Sequence, residues 1–171
     1  MSSLFSPIVL RSVTARNRIA VSPMCQYSAV DGLGNDWHIQ NLGAKAAGGA
    51  GIVCVEATHV SPDARITPGC LGLWNDAQTA FAARLAGIIT QSGAVPAIQI
   101  AHAGRKASCA RPWEGGAQLG LAEGGWPTVG PTAVPFQPDE RAPAALDDAA
   151  IETVIARFGE AAARARRAGF Q

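Results

Sequence analysis

The sequence has no apolar run near the ~20 residues that a membrane-spanning helix needs. Its charge has no majority sign: 14 Lys+Arg against 13 Asp+Glu leave a formal net charge of +1. A polyanion partner such as nucleic acid is therefore not expected. The first ten residues, MSSLFSPIVL, carry no basic segment ahead of an apolar core, so no secretory signal is expected. Cysteine is scarce and unpatterned. Cys25, Cys54, Cys70 and Cys109 form no CxxC and have no histidine at zinc-site spacing. Reduced thiols in a cytoplasmic protein are expected rather than a disulfide framework, with Cys54 a small core residue of the run IVCVEA. Phosphate-cradling glycine loops are missing too. Gly48-Gly49-Ala50-Gly51 precedes an apolar run instead of following one, and His102-Ala103-Gly104-Arg105-Lys106 lacks P-loop spacing.

What is present is a globular balance, with 48% apolar and 16% charged residues in a chain of 171. Ile8–Leu10 and Val13–Ala15 predict a hairpin. Residues 18–21, 51–57 and 94–101 read as buried strands. Residues 36–48, 76–92 and 147–168 read as helices, with Asp36 and Asp76 as N-caps. Phe81, Leu85, Ile88 and Ile89 share one face of the second helix. Ile151, Val154, Ile155, Phe158, Ala161, Ala162 and Ala165 form the stripe of the third. Near-continuous apolar strands alternating with helices imply a parallel sheet covered by helices. Three such units cannot close a sheet on itself. A (β/α)₈ TIM barrel takes about 250 residues. By the same alternation Phe170-Gln171 opens a fourth strand. The expectation is the N-terminal portion of one barrel domain: residues 1–17 a cap, 18–109 the first βα units, 110–145 a long loop, 147–168 a helix. The rest of the barrel is then a second chain or a missing segment. The loop holds six Gly and six Pro between Pro112 and Pro143, and a loop of that length is a functional element or a cover for the rim.

Parallel strands bring their C-terminal ends to one rim. Here the ends carry Pro23-Met24-Cys25-Gln26-Tyr27, Glu56-Ala57-Thr58-His59 and Gln99-Ile100-Ala101-His102. A thiol, a phenol, an amide and two imidazoles suit a planar, hydrogen-bonding ligand. A Cys–His nucleophile pair is a weaker fit, because Cys25 meets no helix N-terminus and no acidic orienter is assignable. His59 and His102 are expected as hydrogen-bonded structural residues rather than metal ligands. Each rim residue also has a plainer role available. Cys25 can fill space, Tyr27 can cap the rim, and Gln99 can satisfy a backbone carbonyl. Arg105 and Lys106 read as loop-ordering charges, Trp74 and Trp113 as packing residues.

Five stretches, RNRIAVSPMCQYSA, GGAGIVCVEAT, RITPGCLGLWND, PAIQIAHAGRKAS and RPWEGG, together resemble the Old Yellow Enzyme family, in its xenobiotic-reductase and thermophilic-like branch. The resemblance runs in order from about Leu4 to the last residue. It implies an FMN-dependent, NAD(P)H-oxidising barrel enzyme. Such enzymes reduce the C=C bond of activated alkenes (enones, enals, maleimides) and also act on nitro compounds, often as homo-oligomers. It implies that Ser22, Pro23, Met24 and Cys25 line the flavin, with Cys25 as its tuning thiol. Ala57 contacts the flavin through its backbone, Gln99 reads the pyrimidine edge, and the Tyr27 phenol reaches substrate. The family's substrate-anchoring His pair, its proton-donating tyrosine, an arginine and the phosphate site fall beyond Gln171. This chain alone is therefore expected to be inactive and to hold FMN poorly. The alternative is a non-catalytic half-barrel that binds no flavin by itself.

Overall fold

The computed structural model describes residues 3–171. It begins with the expected hairpin, β1 (Ile8–Leu10) against β2 (Val13–Ala15), antiparallel with Ile8 opposite Ala15. There follow β3 (Ala20–Val21), α1 (Asp36–Ala47), β4 (Ile52–His59), the two-residue β5 (Leu71–Gly72), α2 (Asp76–Gln91) and β6 (Val95–Ala101). The long connection contains a second small pair, β7 (Val129–Gly130) with β8 (Ala144–Ala145), and the chain closes on α3 (Asp148–Arg167). β5, β7 and β8 were not foreseen, and at two residues each they are too short for a hydrophobic period.

β4 is the hub. It pairs in parallel with β3, β5 and β6. Its apolar sequence follows from burial on both faces. Val53 and Val55 are fully buried against Leu85 and Ile89 of α2 and Leu42 of α1. Each such aliphatic side chain contributes about 2 kcal/mol through the water it sheds. The β4–β6 register shifts between Val55 and Thr58, where a bulge interrupts the ladder. At the far end Phe170 is buried and the Gln171 amide donates to the Pro96 carbonyl of β6 at 3.1 Å, where a further strand was expected to begin.

Three expectations need correction. The caps of α1 and α2 are Asn35 and Asn75, one residue before Asp36 and Asp76. Each asparagine oxygen accepts a first-turn amide, and the aspartate then sits inside the first turn, where its charge meets the positive helix end. The stripe of α3 is only half used. Ala161 and Ala165 are buried, whereas Ile151, Ile155 and Ala162 are exposed, because this part of α3 has no layer of the chain over it. Cys54 is half-buried rather than core, since it alternates with Val53 and Val55 and so faces away from the helices.

Replacing Asn75 by Ala is expected to lower the unfolding free energy by about 1 kcal/mol. Asp76→Ala should cost less, because the Asp76–Arg164 contact of 2.6 Å involves an aspartate that is 96% exposed. Denaturant unfolding of the two variants checks the order.

Candidate active site

β3, β4 and β6 run parallel, so their C-terminal ends meet at one rim. Leaving β3, the chain passes through exposed Ser22, Pro23, exposed Met24 and half-buried Cys25 to Tyr27. The Met24 and Cys25 amides have no hydrogen bond among the described residues. Ala57 lies in the β4 bulge and is buried, with its backbone beside the Cys25 thiol. Gln99 falls between Ile98 and Ile100, which pair with Val55 and Thr58, so it lies across from the bulge. Its side chain is exposed and makes no hydrogen bond among the described residues. The rim therefore gathers Cys25, Tyr27, Ala57 and Gln99, as the strand order requires.

Burial, followed by the charge of Glu56 and the neighbouring Cys70, pushes the Cys25 thiol up to about 11. Burial, then Cys25, pushes the Tyr27 phenol up to about 12. Both groups keep their protons at neutral pH. An activated nucleophilic cysteine shows the reverse shift, so the Cys–His nucleophile is disfavoured. The thiol is a weak S–H donor here, and the phenol is an O–H donor.

Tyr27 has a left-handed backbone, φ 50°, and its neighbours hold it there. The Ser28 hydroxyl donates to the Gln26 carbonyl at 2.9 Å. The Ala29 amide donates to the Gly69 carbonyl at 2.9 Å. Arg111 Nε donates to the Tyr27 carbonyl at 2.9 Å. A Cβ on Gly69 would overlap that same carbonyl, so glycine is required there. Trp113 is 66% exposed and meets the Tyr27 ring edge-on at 5.9 Å. It is a rim residue rather than the packing residue expected. Trp74 fits the packing expectation, half-buried with Arg65 over its ring at 5.7 Å.

The residues that pattern alone missed lie beneath the rim. Glu56 is 3% exposed. One of its oxygens accepts the Gln26 amide, and the other lies 3.1 Å from His38 Nε2. That second approach is close without being a straight hydrogen bond. A signal existed: a buried charge inside an otherwise apolar strand needs a partner. Nothing in the sequence named His38 as that partner.

Both rim histidines are hydrogen-bonded. The His59 ring is fully buried and its Nδ1–H donates to the Leu71 carbonyl at 3.0 Å. The His102 Nδ1 accepts the Gly104 amide at 3.0 Å. Among the described residues no three metal-ligating side chains cluster. Arg105 reaches the Val134 carbonyl at 3.5 Å and the Lys106 ammonium sits 4.4 Å from the Phe136 ring centre, so both pin the long loop. All four cysteines are free, and no helix among the described residues is long and apolar enough to cross a membrane.

The chain resembles known proteins along its length. A family model described as NADH:flavin oxidoreductase / NADH oxidase family matches residues 3–171. An NADPH dehydrogenase of Listeria monocytogenes serotype 4a (strain HCC23) is 43% identical over 172 residues, covering 99% of this chain and 46% of that protein. Among solved structures, morphinone reductase superposes with a TM-score of 0.82 at 27% identity, covering 98% of this chain and 46% of that one. The old yellow enzyme homologue of Zymomonas mobilis gives a TM-score of 0.81 at 25% identity, covering 99% and 46%. The chain spans about half the length of the curated relatives it matches, and its fold is the matching part of a TIM barrel of this type.

Burial lowers the His59 imidazole from its ordinary 6.5 to about 4, with His102 and Arg65 adding to the effect. The folded protein thus holds His59 neutral, and its stabilising effect is complete above the unfolded value of 6.5. As pH falls from there through about 4, the unfolded chain gains a proton that the folded one refuses, and stability declines. Unfolding free energies taken at about pH 7, 5.5 and 4.5 should fall in that order, and His59→Gln should flatten the slope.

Proposed function

Because the chain belongs to the NADH:flavin oxidoreductase / NADH oxidase family, we propose that it supplies the first half of one barrel domain in an FMN-dependent NAD(P)H oxidoreductase. The substrates are activated alkenes (enones, enals and maleimides), with nitro compounds as a further class. The barrel is completed by the remaining segment, and the whole works as a homo-oligomer. The observation that carries this reading is the rim shared by Cys25, Ala57 and Gln99 around the β4 bulge, where the Gln99 carboxamide and the Met24 and Cys25 amides make no hydrogen bond among the described residues.

The residues present fit an isoalloxazine ring. It is a flat group with an apolar end and a pyrimidine edge of alternating donors and acceptors. Gln99 offers a free carboxamide, which carries one donor face and one acceptor face. The Met24 and Cys25 amides are free donors, and the Met24 side chain, 47% exposed, gives an apolar surface. Flavin, when bound, supplies hydride transfer between nicotinamide and the alkene carbon. The chain's own groups do the positioning. Cys25 keeps its proton at Sγ and so presents a neutral, soft, weakly donating atom to the ring. Tyr27 keeps its proton at Oη and donates to an electron-withdrawing oxygen of the substrate, which polarises the double bond. Trp113 beside it narrows the approach to flat substrates.

The test uses the barrel-length protein that contains this chain. Flavin absorbance that bleaches anaerobically with NADPH and returns on adding an N-alkyl maleimide is the expected result. A colourless protein that oxidises no NAD(P)H would overturn the reading. Gln99→Leu keeps the volume but removes both hydrogen bonds, and should weaken FMN binding by about tenfold to a hundredfold in a fluorescence titration. Cys25→Ala should leave FMN bound and move its midpoint potential.

A further inference from the structure

Glu56 and His38 reach no ligand on the rim, since both are buried. They nevertheless control its shape. Glu56 Oε2 accepts the amide of Gln26, the residue between Cys25 and Tyr27. His38 Nδ1 accepts the Asn35 amide at 3.1 Å, and Nε2 faces Glu56 Oε1 at 3.1 Å. Asn35 in turn donates from Nδ2 to the Ser28 carbonyl at 2.7 Å. One connected path therefore grips residues 26 and 28, on either side of left-handed Tyr27.

We propose that Glu56, backed by His38, is a positioning residue for the reaction: by holding the Gln26 amide it sets where the Cys25 thiol and the Tyr27 phenol stand. This rests on the rim being the flavin and substrate site. A carboxylate suits the task because both of its oxygens only accept: one takes the Gln26 amide, and the other lies 3.1 Å from His38 Nε2. A carboxamide in its place has one acceptor and one donor, so it must turn an N–H toward either Gln26 or His38. The charge is felt at the rim as well. The groups facing Cys25 are Glu56, Cys70 and Tyr27, and Glu56 and Cys70 both disfavour its thiolate. Tyr27 in turn faces Cys25, Cys70 and Glu56.

The experiment compares the barrel-length holoenzyme with its Glu56→Gln variant by two readouts. The first is the pH profile of iodoacetamide alkylation at Cys25, resolved by peptide mass spectrometry. The second is kcat and KM for maleimide reduction by NADPH. The expected result is a Cys25 profile moved to lower pH, with alkylation at about pH 8.5 faster by up to about tenfold. kcat should fall by about tenfold to a hundredfold, with the KM for NADPH little changed. A merely structural role would lower the unfolding midpoint and leave the profile of the folded fraction in place. Unchanged profile and kcat at full flavin content would overturn the proposal. If Glu56→Gln does not fold, His38→Ala and His38→Gln decide. The Ala variant should lose kcat and the Gln variant, which keeps an N–H group beside Oε1, should recover most of it. Equal kcat in both and in the parent would overturn the proposal. The alkylation readout does not need flavin. A colourless protein whose profile still moves refutes the flavin reading alone, and a flavin-loaded one whose profile stays refutes the positioning role alone.

Discussion

A single buried carboxylate ties the interior of this half-barrel to its rim. Glu56 interrupts an apolar strand, and a charge there is tolerable only when donors meet it. The backbone of the loop after β3 donates to one oxygen, and the imidazole at the start of α1 lies 3.1 Å from the other. Leaving a buried acceptor short of a donor costs about 1–3 kcal/mol. The strand is therefore at ease only when the loop lies in its place. Packing of β4 and placement of Cys25 and Tyr27 become one problem rather than two. A left-handed tyrosine costs roughly 1–2 kcal/mol by itself. Such a residue persists only where its surroundings over-determine it, and Gln26, Ser28, Gly69 and Arg111 all do so here.

The bulge in β4 makes the arrangement possible. Val55 packs toward the helices, and without an interruption Ala57 and His59 would follow it to that side. The register shift between Val55 and Thr58 falls at Ala57, whose backbone meets the Cys25 thiol, while Glu56 beside it takes the Gln26 amide. Bulges commonly re-aim side chains in this way beside functional sites. The long connection after β6 adds the outer wall. It has almost no ladder of its own, and side chains fasten it to backbone instead. Trp126 Nε1 donates to the Asp63 carbonyl at 2.9 Å, and Arg141 donates to the Leu119 and Trp126 carbonyls at 3.3 and 2.9 Å. Arg111 and Trp113 carry this wall to Tyr27.

Much of the architecture was legible in the sequence because it rests on periodicity. The hairpin, the longer strands and the three helices all have enough residues to display a period of two or 3.6. Helix caps were misplaced by one residue because Asn35-Asp36 and Asn75-Asp76 each offer two good capping residues in a row. β5 was invisible at two residues, and Trp113 resembled a packing residue because an aromatic in a loop gives no hint of its exposure. Cys25, Ala57 and Gln99 meeting at one rim followed from parallel strand order. The grip on Tyr27 did not, because it joins residues 30 and 84 positions apart, a separation no local pattern encodes. Glu56 was missed as well, although a charge inside an apolar strand was a signal that could have found it.

The high setting of the Cys25 thiol has a chemical consequence of its own. At about 11, only about one molecule in 10⁴ carries the thiolate at pH 7. Peroxide attacks thiolates, and oxidation to sulfenic and sulfinic acids follows thiolate character. A sulfur at this rim is thereby kept durable: burial first, and then the charge that holds its loop, keep it slow to oxidise.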